Sequence, residues 1–354
     1  MLLARSLLPL LRSMSRHFYL WALLPLAACA DPSSGESAKV SAPAIGESAA
    51  EVRAAAHAAP AFDILLAWGE GELEIGRRAP QPEFRGEGPS GIALAPDGRV
   101  LLIDRLNHRV LEVDGHGLRS VADVAEDVEH LAIGSDGAMA TFSPLRSHAA
   151  FFEADGSPAG ELSVPRLTGP IARVRLAGSR QLVIESALQE RLTAGSPSTP
   201  YTEAELLRSK REGAFELEGG RGVVAIVSEG RAAVHVLSPS ARGRVRVLSR
   251  VEVGEGFASL RLLGLEGDTA VAVAERVEQP GEAIEVGREL VVFDLAKRSV
   301  IGRRALPRPG EWVPTEDLAA GGSPLAVALM VPEREGLRVI RIPVSSVVAG
   351  GGAK

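Results

Sequence analysis

The stretch Gly91-Ile92-Ala93-Leu94-Ala95-Pro96-Asp97-Gly98-Arg99-Val100-Leu101-Leu102-Ile103-Asp104 decides the fold of this chain. Two apolar runs flank a Pro-Asp-Gly turn, the composition of a tight β-hairpin, with the second run the more apolar. The unit returns five times: His130 to Phe142, Arg173 to Glu185, Ala214 to Ile226, Arg261 to Val273 and Asp317 to Leu329. Successive copies start 39, 43, 41, 47 and 56 residues apart. That is the period of a four-stranded propeller blade, in which radial repetition buries each sheet against the next.

A third strand follows most copies: Val110 to Val113, Ala149 to Glu153, Ala233 to Leu237, Leu290 to Phe293 and Leu337 to Ile342. A β-sandwich would not repeat one hairpin six times, so the expected fold is all-β, a six-bladed β-propeller over residues 61–349. The ends of the chain support closure. The sixth copy runs into Val344-Ser345-Ser346-Val347-Val348 and has no fourth strand, while Phe62-Asp63-Ile64-Leu65-Leu66-Ala67-Trp68 is a strand without a blade. Pairing the two completes blade six and removes an open edge.

Pro89 to Gly115, which contains the first copy and then Arg105-Leu106-Asn107-His108-Arg109-Val110-Leu111-Glu112-Val113, resembles the NHL repeat, and Trp68-Gly69 is similar to the segment that leads into such repeats. The second copy fits more loosely, through Asp136-Gly137 and Asp155-Gly156, and the others as general blades. The resemblance implies a six-bladed, NHL- or TolB-like propeller. It implies little about activity, because function on so widely used a fold resides in individual sites.

Ahead of the propeller the chain changes character. The first 28 residues hold Arg5, Arg12 and Arg16, no acid, and an apolar run from Phe18 to Leu26 that is too short to span a bilayer. Then comes Leu26-Ala27-Ala28-Cys29, which resembles the lipobox of bacterial lipoproteins. The resemblance implies a signal peptide over 1–28 and a lipid such as palmitate on Cys29. It also implies an outer-membrane location facing the periplasm or the cell surface, since no aspartate stands directly after the cysteine. Residues 30–60, rich in Ala, Ser, Glu, Gly and Pro, cannot bury enough apolar surface to fold alone and read as a flexible tether. Residues 350–354 read as a disordered tail.

Composition narrows the partners. With 39 basic against 45 acidic residues the chain is acidic, and three of its arginines lie in the signal segment. Nucleic acid is therefore not an expected partner, and the membrane is reached through the lipid on Cys29 rather than through charge. Cys29 is the only cysteine, so no disulfide can form within the chain and stability must come from packing.

The sequence offers one local candidate site: Asp104, Arg105, Asn107, His108 and Arg109, after the second strand of the first copy. These residues could present a binding face. The plainer reading is that Asp and Asn bond nearby backbone and the arginine pairs with the aspartate, shaping a turn. No catalytic residue, metal or cofactor is indicated. His57, His116, His130, His148 and His235 form no local ligand spacing, although a propeller can draw one ligand from each blade. Lactonase-type propellers hold calcium with carboxylates and asparagines, and Asn107 is the only asparagine here. No Gly-x-Ser-x-Gly elbow occurs, and Gly86-Glu87-Gly88-Pro89-Ser90-Gly91 leads into a strand, not a helix.

Two segments stand apart. Thr193 to Gly213 interrupts the third copy's blade and carries a capping box, Thr202 with Glu205, for a short helix. Val277 to Glu289 reads as a long acidic connection in blade five. Both are expected either as variable surface loops or as the rim of a binding face. The function expected from all of this is a membrane-tethered cell-envelope module that binds or scaffolds a protein or small ligand. The alternative is a lactonase- or lyase-like hydrolase acting in the central funnel.

Overall fold

The computed structural model describes residues 61–350 apart from 82, 84, 85, 168, 179, 240–244, 280–283, 309–311 and 313. Cys29 and the expected tether lie outside the described residues. The described residues open with strand β1 (Phe62–Ala67) and then lay down six sheets in order around a central channel. Blade one is β2 (Ile92–Leu94), β3 (Val100–Asp104), β4 (Arg109–Val113) and β5 (Leu118–Asp123); blade two is β6 (His130–Ile133), β7 (Met139–Ser143), β8 (His148–Phe152) and β9 (Pro158–Ser163). Blade three begins with β10 (Ile171–Ala177), β11 (Gln181–Ser186) and β12 (Glu190–Ser196). Its outer edge is made by the short strands β13 (Thr199–Pro200) and β14 (Arg211–Glu212), with helix α1 (Glu203–Arg208) between them.

Blade four is β15 (Phe215–Leu217), β16 (Arg221–Ser228), β17 (Arg231–Leu237) and β18 (Val247–Glu255), and blade five is β19 (Ser259–Glu266), β20 (Thr269–Glu278), β21 (Glu285–Asp294) and β22 (Ser299–Ala305). Blade six has β23 (Leu318–Gly321), β24 (Ala326–Pro332) and β25 (Gly336–Pro343), and its fourth strand is β1. The pairing is antiparallel, from Phe62 opposite Arg341 to Ala67 opposite Gly336. The first strand thus closes the ring, as the sequence leads one to expect, and helix α2 (Val344–Gly350) follows β25.

The burial pattern follows from radial stacking. Middle strands meet a neighbouring blade on both faces, so β3, β7 and β24 are buried at every position. Outer strands such as β18 alternate buried with exposed residues. Five apolar clusters fill the junctions between blades one and two, two and three, four and five, five and six, and six and one.

The junction of blades three and four is built differently. Inner strand β15 is only three residues long and leaves Ala225 of β16 without an inner-strand partner. The Gln189 side chain reaches over from blade three and takes that place. Its Nε2 donates to Ala225 O at 2.6 Å, and its Oε1 accepts from Ala225 N at 2.7 Å. Nearby, Arg191 pairs with Glu216 at 3.0 Å. One primary amide therefore imitates the backbone peptide of a missing strand residue.

Two expectations for the irregular segments are refined. Helix α1 starts with the capping box read from Thr202 and Glu205, but it lies along the outer edge of blade three rather than beside the channel. It buries Leu206, and Ser209 Oγ accepts from Thr193 N at 2.8 Å, as an outer strand would. Val277 to Glu289 is mostly strand, since β20 and β21 stay paired out to Glu278 opposite Glu285. Two of its carboxylates are met by nearby cations: Arg303 Nη1 lies 2.6 Å from Glu289, and Arg308 Nη2 lies 2.8 Å from Glu285. The third strand of blade three, β12, has no counterpart in the sequence reading, because Glu190 to Ser196 lacks an apolar run.

Candidate functional site

All inner strands run the same way along the channel, so their starts mark one face of the disc, here called upper, and their ends mark the lower face. Turns joining second to third strands also lie on the upper face, because the second strand runs antiparallel to the first. The sequence candidates occupy that turn in blade one.

These candidates are engaged within the protein. Asp104 is fully buried, and its Oδ1 accepts from Gly76 N at 3.0 Å. Its Oδ2 accepts from Asn107 Nδ2 at 2.9 Å and from Arg109 Nε at 3.2 Å. Asn107 also donates to Gly69 O, and Arg109 donates to the carbonyls of Gly71, Glu72 and Glu74. The cluster therefore fastens residues 69–76, the connection leaving the closing strand, onto blade one. Arg105 reaches Glu87 at 3.5 Å on the same connection.

His108 has a positive φ of 56° and donates its N–H to Arg105 O. Ser147 and Gln189 repeat that conformation and that bond in blades two and three. The conformation at His108 is thus one the blade turn adopts whatever the side chain.

Aromatic residues secure the same connection. Trp68 and Trp312 stand with ring centroids 5.6 Å apart, Arg77 stacks on both, and Trp68 Nε1 donates to Glu333 O.

Charged side chains from four blades converge at the upper end of the channel. Glu316 Oε1 lies 3.1 Å from His130 Nδ1, and Asp317 Oδ2 lies 2.6 Å from Arg288 Nη1. Arg261 approaches Asp317 at 3.4 Å. Arg173 pairs with Glu185 at 2.8 Å and spans the channel to blade five, donating to the carbonyls of Leu263 at 2.6 Å and Leu262 at 2.9 Å. Arg175 donates to Ala214 O and lies over the Phe215 ring, 4.3 Å from its centroid. Burial first, and then the charge of Arg173, pushes Arg175 down to about 9. Arg261 is also held below the usual guanidinium range, chiefly by burial.

Below this cluster a cavity of about 290 Å³ runs down the channel to Ser135 and Ser323 at the lower turns. Among the described residues, no group of three or more histidines, cysteines or carboxylates is placed to hold a metal ion.

Local motif reading does not find this cluster, because its members are far apart in sequence. The signal lies in the repeat itself. The first residue of the six copies reads Gly91, His130, Arg173, Ala214, Arg261 and Asp317, and four of these are ionisable at the mouth of a channel. A hairpin that buries apolar residues at its next positions has no packing reason to start on a charge.

No family model matches the chain, and no curated protein sequence matches it. Solved structures with similar shape include a streptogramin B lyase, 10% identical, covering 72% of this chain and 93% of that one with a TM-score of 0.40. A member of the DUF4221 family from Bacteroides vulgatus is 9% identical, covering 80% and 96% with a TM-score of 0.44. The PQQ-bound aldose sugar dehydrogenase from Streptomyces coelicolor is 12% identical, covering 81% and 99%, also at 0.44. These proteins differ among themselves in chemistry, and likeness at this level assigns none of it to the present chain, whose fold rests on its own six closed sheets.

Proposed function

We propose that this chain is a lipid-anchored, NHL-like propeller of the cell envelope that binds a partner protein on its upper face. One observation carries the reading. Of the seven large apolar residues exposed by 55 to 84% among the described residues, five, Leu73, Leu145, Leu188, Val277 and Ile284, lie in upper-face connections or at the upper ends of strands, the other two being Leu207 on α1 and Val247 at the start of β18. Solvated turn tips normally carry small or polar residues, and apolar side chains gathered on one face mark interaction surfaces. The lipobox-like Leu26-Ala27-Ala28-Cys29 and the composition of residues 30–60 support placement at a membrane, with the propeller held off it by a tether.

The test is capture of a partner from envelope extracts by the wild-type chain and by a double variant, Leu145→Glu with Leu188→Glu. These side chains are exposed, so the variant should melt like wild type and lose the partner. A partner retained by the double variant would refute this face as the binding surface.

A second reading, hydrolysis in the funnel, draws on the buried His130–Glu316 pair, a carboxylate 3.1 Å from an imidazole without hydrogen-bond geometry, which would orient a general base once that bond formed. Ser90, the nearby buried hydroxyl, donates instead to Val128 O at 3.0 Å. Hydrolysis of ester or lactone substrates by wild type but not by His130→Gln would favour this reading over the first.

A further inference from the structure

The central cavity differs from the upper face in both position and lining. Its wall is apolar at Ile92, Leu94, Ala132, Leu318 and Ala320, and it ends at Ser135 and Ser323 at the lower turns. Its blade-three wall carries two cations. Arg173 and Arg175 are two residues apart on β10, so both side chains leave the same face of the strand, and both line the cavity. At the repeat position of Arg175, blades one, two and six have Ala93, Ala132 and Ala319. Blade five has Leu263 there and blade four has Glu216, which pairs with Arg191, so the cations of the cavity lining, Arg173 and Arg175, both come from blade three.

The two guanidinium groups share one carboxylate. Glu185 Oε2 is 2.8 Å from Arg173 but 3.6 Å from Arg175. Arg173 is further satisfied by its two carbonyls across the channel. Beyond Glu185 at 3.6 Å, Arg175 meets the Ala214 carbonyl and the Phe215 ring, and among the described residues its buried Nε has no hydrogen-bond partner. A planar guanidinium with donors unused offers the fork that a carboxylate accepts. The carboxylate that reaches the cavity, Glu316, faces His130.

We propose that the cavity binds a small organic anion, a carboxylate with a compact apolar body, its charge on Arg175 and its hydrocarbon against the apolar walls. The volume of about 290 Å³ stands at the small end of ligand cavities, which begin near 300 Å³, so the ligand is a few carbons long rather than drug-sized. Burial and the charge of Arg173 depress Arg175, and a bound anion would oppose both by adding a counter-charge. The chain as a whole is acidic, with net charge −6, so the attraction must be local to this wall. This site is independent of the partner surface proposed above, and either could exist without the other.

Titration calorimetry on the purified full chain tests it with three probes of known charge: sodium hexanoate, hexylamine and sodium sulfate. Hexanoate should bind, hexylamine should not, and sulfate should bind at least about tenfold more weakly because it leaves the apolar walls unused. Arg175→Met should weaken hexanoate by at least about tenfold, whereas Arg175→Lys, which keeps the charge but loses the fork, should fall between Arg175→Met and wild type. Ala320→Leu fills the apolar part without touching a charge, and it should also abolish hexanoate binding even if Arg175→Met fails to fold. The proposal is overturned if hexanoate does not bind, if either control probe binds as tightly, or if Ala320→Leu or a folded Arg175→Met binds hexanoate like wild type.

Discussion

Asp63 and Arg338, 275 residues apart in the chain, meet across the seam where the ring closes, with Arg338 Nε 2.7 Å from Oδ1 and Nη2 2.6 Å from Oδ2. The fork-to-carboxylate geometry fixes the register of β1 on β25, and Leu66 beneath it is buried against the core of blades six and one. Closure of a propeller replaces two open edges with one ladder, so this seam governs whether the remaining blades form a stable ring.

Removing the seam strand should therefore be far worse than removing what precedes it. Deleting residues 30–60 should leave the melting temperature unchanged, while deleting 30–70 should lower it sharply and promote aggregation through the bared edge of β25. In a Cys29→Ser background, Leu65→Cys and Arg338→Cys face one another in register and should crosslink on oxidation, since paired strands lie about 5 Å apart. Equal melting of the two truncations together with no crosslink would contradict the closure.

The seam also has a pH signature. Hydrogen bonding to Arg338 holds the Asp63 carboxyl below its ordinary value in the folded protein. A depressed folded-state value means that the pair stabilises fully above the unfolded carboxyl range, and that this contribution is lost as pH falls through the lower folded-state value. Asp63→Asn should lower stability at neutral pH by at most about 1 kcal/mol, because both side chains are more than a third exposed and screened by water. The difference from wild type should shrink as pH falls below the ordinary carboxyl range and through the lowered folded-state value of Asp63. A gap that stayed constant between these conditions would show that the pair does not act through its charge.

The Asp104 cluster gives a sharper outcome because it is buried. Asp104→Ala removes the acceptor of Gly76 N and leaves Arg109 without its carboxylate, a change that costs about 3–5 kcal/mol at buried ion pairs. Hydrogen exchange should accelerate at the Gly76 amide before it does in β24. Binding of a partner through the face bearing Leu145 and Leu188 should survive. Unchanged exchange at Gly76 would detach the cluster from the connection it is described as fastening.

The blades were legible because their inner hairpins must repeat. Each places a turn between two apolar runs, and β2–β3 through β23–β24 fall on the six copies read from the sequence. Closure was legible from two incomplete ends. Blade three was less so, because Glu190 to Ser196 is polar where its neighbours are apolar, and because Ser209 and Gln189 do with side chains what other blades do with backbone. The channel cluster was hidden for a different reason. Arg173 reaches blade five and His130 meets Glu316 only when non-adjacent blades face across the axis, and Arg288 meets Asp317 only where blades five and six pack, and local spacing carries no trace of either. The Asp104 turn was visible as a cluster, but its partners at Gly69 to Gly76 were not.

The proposed anchor makes its own demand. If Cys29 is lipidated, radiolabelled palmitate should enter the wild-type chain, and Cys29→Ser should lose both the label and membrane association while its propeller melts normally. Equal labelling of the two chains would refute the anchor and leave the propeller reading untouched.

The last prediction concerns the junction of blades three and four, where an amide replaces a strand. In the other five junctions, adhesion comes from apolar contact, which tolerates small shifts. Here Ala225 N and O both depend on the single side chain of Gln189, within a seam that also holds the Arg191–Glu216 pair. Gln189→Ala leaves a donor and an acceptor of β16 unpaired, at a cost of about 1–3 kcal/mol. Gln189→Glu keeps an acceptor for Ala225 N but loses the donor to Ala225 O, so it should fall between Ala and wild type. The position of the loss is the stronger test, since sub-global opening begins where the fewest buried apolar contacts hold an interface. Exchange at Ala225 should rise in Gln189→Ala well before exchange at Leu102 or Val327, which sit in apolar junctions. If Ala225 is protected as well in the variant as in wild type, the glutamine does not substitute for the missing strand, and blade four must be held to blade three by other contacts, among them the Arg191–Glu216 pair and the contacts of Arg173 and Arg175 with Phe215.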